Sequence, residues 1–192
     1  MLKDFIISRV RVKILALFFS FPGKIFHVRE IVRKTDEEIN AVRRELLHLE
    51  KAGLLYKEKR ANRLYYGVRK EYPLYYELLT IIVKTTGLGE LILKNKAKLG
   101  KIKYAFISGR YARKKQRASR NEIDFLVVGS VVLPELTQII KSEEVKVGRE
   151  INYTVMSEEE FEFRKKRRDP FVIEILSVTK VMIIGDEEAL IS

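Results

Sequence analysis

The chain has no cysteine, no tryptophan, only two histidines (His27 and His48) and four prolines in 192 residues. Without cysteine there is no disulfide, no thiolate-held zinc and no thiol nucleophile. Two histidines cannot build a multi-histidine metal centre. No uninterrupted apolar run approaches the roughly 20 residues of a membrane span, and the first residues do not read as a secretory leader. The expectation is a cytoplasmic protein with no membrane association. One further absence is local. Residues 91–121 contain no Asp or Glu, against eleven Lys and Arg.

What is present has a matching asymmetry. The formal net charge of +12 divides into +7 over residues 1–90, +11 over 91–121 and −6 over 122–192. Such segregation points to a surface that meets a polyanion, the alternative being a solvated basic face. Hydrophobic residues make up 46%, which excludes wholesale disorder, and the length suits one large or two small domains.

In the first part, residues 8–20 read as an amphipathic helix with Ser8 as cap, ended by Phe21-Pro22-Gly23. A short helix follows over Val28–Arg33. Thr35 with Glu38 three residues on has the form of a capping box. It opens a third helix with Ile39, Val42, Leu46 and Leu49 on its core face and Gly53 as its stop. Asn40, Arg43 and Arg44 fall on other faces of its first half, where a recognition helix meets bases and phosphates. Leu54–Lys59 and Leu64–Val68 read as a hairpin whose tip carries Lys57, Lys59, Arg60 and Arg63. Over residues 8–70, three helices followed by a basic hairpin resemble the winged helix-turn-helix regulators, particularly the arsenic-repressor-like group. The closest likeness is Ala41–Leu55 followed by Tyr65-Tyr66. The resemblance implies double-stranded DNA as partner, contacted by Asn40, Arg43 and Arg44 in the major groove and by Lys59, Arg60 and Arg63 from the wing.

Residues 71–100 read as a helical connector, with a helix over Pro73–Lys84, a break at Gly87 and Gly89, and a new helix from about Glu90. From Lys101 strands and helices alternate: strands over Ile102–Ile107, Ile123–Val128 and Ile151–Val155, a short helix after Gly109, helices over Leu133–Ser142, Ser157–Lys166 and Pro170–Ser177, and an apolar run over Val181–Ile184. On a strand from residue 123, Glu122 and Asp124 would share one face, as two carboxylates holding a divalent metal must.

Gly109, the polar loop after it and the Glu-x-Asp pattern resemble the small polymerase-beta-type nucleotidyltransferases. That family carries a Gly-Ser turn for the triphosphate, Asp-x-Asp for magnesium, and a third acid from a later strand. Here Gly109 matches the glycine and Tyr111-Ala112-Arg113 continues the run. Arg110 occupies the serine position, Glu122 the first acidic position, Asp124 the second, and neutral Asn152 the third. Asn152 cannot balance metal charge or take a proton near neutral pH. The resemblance implies Mg2+ and a nucleotide triphosphate as possible ligands, with Gly109, Arg110 and Arg113 on phosphate and Glu122 and Asp124 on metal, and it assigns no catalytic residue with an intact role. The loop cations Lys114, Lys115, Arg117 and Arg120 suit an anionic ligand or a solvated loop alike.

The expectation is an α+β protein of two domains: a winged helix at 1–70 and, after the connector, a nucleotidyltransferase-like mixed sheet at 101–192. The function expected is a homodimeric DNA-binding transcriptional regulator whose second domain is an inactive relative used for dimerisation or ligand sensing. The alternatives are an active magnesium-dependent nucleotidyltransferase, modifying a protein partner in the manner of an antitoxin, and a pseudoenzyme that binds only protein.

Overall fold

Ser8 caps the first helix, α1 (Arg9–Ser20), by accepting the Arg11 N–H at 3.2 Å, the role its type and position predict. Ile14, Leu15, Phe18 and Phe19 line the buried side of α1. This computed structural model describes residues 8–117, 119 and 122–192; Arg120 of the basic loop lies outside the described residues. The chain divides into two units, Met1–Thr85 and Thr86–Ser192. It is mixed α/β, and each unit has its own sheet.

In the first unit α1 is followed by β1 (Phe26–His27), α2 (Val28–Thr35), α3 (Ile39–Lys51), β2 (Leu55–Arg60), β3 (Arg63–Val68) and α4 (Tyr75–Thr85). The strands form an antiparallel sheet in the order β1-β3-β2. Phe26 and Lys57 both lie opposite Tyr66, one on either side of it. Helices and sheet close over one core that includes Phe18, Phe26, Ile31, Leu46, Leu55 and Tyr66. Within the stretch read as a connector, α4 contributes Tyr75, Leu79 and Ile82 to this core.

The structure corrects two local expectations. Thr35 does not cap α3. It is the last residue of α2, and its hydroxyl donates back to the Ile31 carbonyl at 2.8 Å. Asp36 then adopts a left-handed conformation (φ 51°), and Glu38 itself caps α3 by accepting the Asn40 and Ala41 N–H groups at 2.8 and 2.9 Å. These two bonds to helix-end N–H groups hold the Glu38 carboxyl below its ordinary value. Strand β1 is the second difference. It is two residues long, too short to carry a period.

The second unit runs α5 (Gly87–Lys94), β4 (Gly100–Ser108), α6 (Gly109–Ala112), β5 (Phe125–Val131), α7 (Leu133–Val147), β6 (Tyr153–Met156), α8 (Glu158–Lys166), α9 (Pro170–Ser177), β7 (Lys180–Ile184) and α10 (Glu187–Ile191). Helix α5 opens at Gly87, in a left-handed conformation (φ 55°), rather than near Glu90. The sheet order is β6-β5-β4-β7, with β5 and β6 parallel and the other pairs antiparallel. Side-chain alternation sorts its two faces. Tyr104, Phe106, Leu126 and Val128 share a core with Phe161 of α8 and Val172 and Ile175 of α9. Ala105, Ile107, Phe125 and Val127 alternate with them and are also buried. A sheet covered on both faces reads as continuous apolar runs, which is how 104–107 and 125–128 look in the sequence.

Candidate nucleic-acid interface and candidate nucleotide site

Helix α3 is two-sided. Val42, Leu46 and Leu49 enter the core, and so does Glu45. Sequence periodicity puts Ile39 in that set and misses Glu45; Ile39 is only partly buried. Glu45 is 7% exposed and accepts from Ser8 Oγ at 2.6 Å and Arg11 Nε at 2.8 Å. Burial pushes its carboxyl up, but these two partners outweigh burial and hold it below the ordinary value. Glu45 thereby ties α3 to the start of α1.

The opposite side of α3 presents Asn40, Arg43, Arg44, Leu47, His48 and Lys51, all exposed. Steps of three and four residues put them on one continuous stripe. Among the described residues Arg43 and Arg44 form no ion pair with any acid. Leu47, 45% exposed, is an apolar group within this stripe, hidden in the sequence by the adjacent core residues Leu46 and Leu49. On the hairpin, Lys59 and Arg63 are exposed and likewise unpaired among the described residues. Arg60 differs: its guanidinium is held by Glu58, Nε to Oε1 at 2.7 Å, and lies 5.7 Å from the Tyr65 ring centre. Lys57 is paired with Glu50 at 3.0 Å.

In the second unit, Gly109, Arg110, Arg113, Glu122, Asp124 and Asn152 converge at one end of the sheet. The alternation expected of Glu122 and Asp124 does not apply as drawn, because β5 begins at Phe125. The residues before it are held by Asn152 instead. The Asn152 carbonyl accepts the Asp124 and Phe125 N–H groups at 2.7 and 3.2 Å. The Asn152 N–H donates to Asp124 Oδ2 at 3.1 Å, and Asn152 Nδ2 donates to the Glu122 carbonyl at 3.0 Å. Asn152 thus clamps the segment before β5, its side-chain amide on Glu122 and its main chain on Asp124.

Each carboxylate faces arginine. Glu122 Oε1 lies 3.3 Å from Arg110 Nε. Asp124, 1% exposed, lies between Arg117 Nε at 3.7 Å and Arg149 Nη2 at 3.9 Å. Burial dominates and pushes the Asp124 carboxyl above its ordinary value, against the Asn152 bond and the two guanidiniums. The Arg149 guanidinium also stacks 4.5 Å over the Tyr111 ring; burial pushes the Tyr111 hydroxyl up as well.

The turn proposed for triphosphate is occupied in the same way. The Gly109 N–H donates to the Thr179 carbonyl at 2.6 Å. Arg113 Nη2 donates to Thr179 Oγ1 at 3.1 Å, and Arg110 donates through Nε and Nη2 to the Gln116 carbonyl. A Cβ at Gly109 would run into Thr179 Oγ1 and its carbonyl oxygen, so the glycine is needed for packing. The cleft beside Glu122, lined by Ile123, Phe171, Glu174, Ile175 and Val178, is shallow and open to solvent.

A divalent cation does not fit this donor set. Placed between Glu122 and Asp124 it would sit beside three guanidiniums. Their like charge opposes that of a cation held by the same oxygens. The guanidiniums already stand against the carboxylate oxygens that such a cation would need. No family model, curated protein or solved structure matches the chain.

Proposed function

We propose that the chain is a duplex-DNA-binding regulator of the winged-helix type, in which α3 enters the major groove and the β2–β3 turn tracks the backbone. The observation that carries this is the outer stripe of α3: Asn40, Arg43, Arg44, Leu47, His48 and Lys51 exposed on one face, with no acid paired to its arginines among the described residues. Such a stripe combines the side chains that read bases directly. Arg pairs with guanine, Asn with adenine, and an apolar group meets the thymine methyl. The element order α1-β1-α2-α3-β2-β3 and the sheet β1-β3-β2 support the winged-helix part. Lys59 and Arg63 are the wing cations available to phosphate, whereas Arg60 would have to leave Glu58 first.

In this proposal the second unit is a nucleotidyltransferase-like body that performs no transfer. The support is the pairing of Glu122 with Arg110 and of Asp124 with Arg117 and Arg149, together with the hydrogen bonds that occupy Gly109 and Arg113. As a homodimer the protein would place two α3 helices in half-sites about one helical turn apart. The test is selection from a random-sequence duplex pool with the full chain, followed by anisotropy titration of the enriched duplex at several salt concentrations. Enrichment of a motif, with affinity that falls steeply with salt, is expected. Absence of duplex binding at low salt, or transfer of label from a nucleotide triphosphate that Asp124→Ala abolishes, would overturn the proposal.

A further inference from the structure

The structure divides the acid-free segment 91–121 into cations that are engaged and cations that are not. Its described arginines are held within the unit, Arg110 by Glu122, Arg113 by Thr179 and Arg117 by Asp124, while Lys114 and Lys115 beside them are exposed and form no ion pair among the described residues. At the borders of its first part, Lys94 pairs with Glu90 at 2.8 Å and Lys103 with Glu158 at 3.3 Å. Between these borders, Lys96, Lys98 and Lys101 are exposed and form no ion pair among the described residues. Lys96 and Lys98 ride on the turn between α5 and β4, and Lys101 is the second residue of β4.

That turn is held in one conformation. Asn95 caps α5, its Nδ2 donating to the Leu91 carbonyl at 2.8 Å. The Asn95 carbonyl accepts the Lys98 and Leu99 N–H groups at 2.9 and 3.1 Å. Leu99 is fully buried, and its carbonyl accepts the Val132 N–H at 2.9 Å. Gly100 takes a left-handed conformation (φ 94°), and a Cβ there would meet the Ser130 carbonyl oxygen. The lysines therefore project from a backbone that is ordered in advance, so docking them costs side-chain entropy and little else.

We infer that the Asn95–Lys101 segment, the turn after α5 and the start of β4, is a second polyanion-binding surface, one that contacts DNA phosphates without reading sequence. This rests on the DNA-binding reading above. Lysine suits such contacts because it is a flexible point charge that meets phosphate without the planar fork geometry of base readout. The nucleic-acid role of the acid-free segment thereby moves. The described arginines of the loop that the sequence offers first are engaged within their own unit, and Lys96, Lys98 and Lys101 stand together on an ordered backbone.

The test is the salt dependence of duplex binding by the full chain and by a Lys96→Gln/Lys98→Gln/Lys101→Gln variant, on a selected duplex and on a scrambled one. Each phosphate contact contributes about 0.9 to the slope of log K against log salt. The variant should lose about 2–3 from that slope on both duplexes and keep the ratio between them. The corresponding Lys→Arg variant should keep the wild-type slope. Wild-type binding with an unchanged slope in the Gln variant would overturn the inference and leave the recognition-helix reading standing. A wild type that binds no duplex would overturn both. Binding to phosphatidylserine vesicles lost in the Gln variant, with the duplex slope unchanged, would assign the turn to a membrane and overturn it too.

Discussion

Glu45 offers the most exacting check on the physics of the first unit, because a buried carboxylate there joins α3 to the start of α1. Its two oxygens take charge-assisted bonds from Ser8 Oγ at 2.6 Å and Arg11 Nε at 2.8 Å. Bonds to a charged group contribute about 1.5–3 kcal/mol each. The Arg11 side chain is 30% exposed, so on losing its partner it regains water and its bond counts at the low end. Glu45→Ala should then cost about 2–4 kcal/mol, and Glu45→Gln, which keeps an acceptor for Ser8, about half as much. For a unit of this size each kcal/mol moves Tm by about 4–8 °C, so the Ala variant should melt at least about 8 °C lower. The sign with pH follows from the depressed carboxyl. A group whose folded pKa lies below its unfolded value gives its stability in full above the unfolded value, near 4.5, and loses it as pH falls through the folded one. The gap between wild type and Glu45→Gln should be widest at neutral pH and close toward about pH 3. Thermal unfolding followed by circular dichroism from about pH 3 to 7 reads both quantities. If both variants fall within about 0.5 kcal/mol of wild type, or if the gap is the same at the two ends of that range, Glu45 does not tie the helices as described.

Other sites give expectations of different sign. Asp124→Asn should gain on wild type as pH rises above 3.8, because burial raises the folded carboxyl and its stabilising contribution is lost as pH climbs through that raised value. Paired melting curves at about pH 4 and 8 check this, and an advantage that shrinks with pH contradicts it. Gly109→Ala should destabilise by about 1–3 kcal/mol through overpacking against Thr179, read as a denaturant midpoint shift; an unshifted midpoint means the turn has room for a side chain. Ala61 holds a left-handed conformation at the hairpin tip (φ 49°), so Ala61→Gly should stabilise by about 1 kcal/mol. A lower midpoint in the same assay would rule that out.

Much of the first unit is legible in the sequence because its signals are local. Ser8 before an apolar stripe, Gly53 after another, and two short runs around Arg60–Arg63 specify helix, stop and hairpin from neighbours alone. The Thr35–Glu38 pair shows the limit of that method. Both residues suit a capping box, but Thr35 finds a nearer acceptor in the Ile31 carbonyl and Glu38 takes the cap alone. Glu45 escapes the pattern for a related reason. Its burial depends on Ser8 and Arg11, more than thirty residues away in the chain, and a charged residue at a core-facing position reads as an interruption.

The second site is legible in its members and hidden in its chemistry. Gly109, Glu122, Asp124 and Asn152 do come together, as the pattern suggests. What the sequence cannot reveal is that Arg110, Arg117 and Arg149 face the two carboxylates, since Arg149 lies 25 positions after Asp124 and no periodicity links them. Thr179, which closes the Gly109 turn, lies still further along. The segment 91–121 reads as one basic block, and only the fold separates Arg110, Arg113 and Arg117, which are held within the unit, from Lys96, Lys98 and Lys101, which are not.

The most direct measurement is anisotropy titration of a selected duplex with wild type and with Arg43→Gln/Arg44→Gln, over a series of salt concentrations. Both side chains are exposed and form no ion pair among the described residues, and their attraction to the exposed Glu38 carboxylate is weak at the surface, so the variant should melt close to wild type. At least about a tenfold loss of affinity for the selected duplex is expected, with a reduced preference for it over a scrambled one, as each lost base contact is worth about 1–3 kcal/mol. Unchanged affinity and preference in a folded variant would contradict the assignment of α3 as the element that reads DNA.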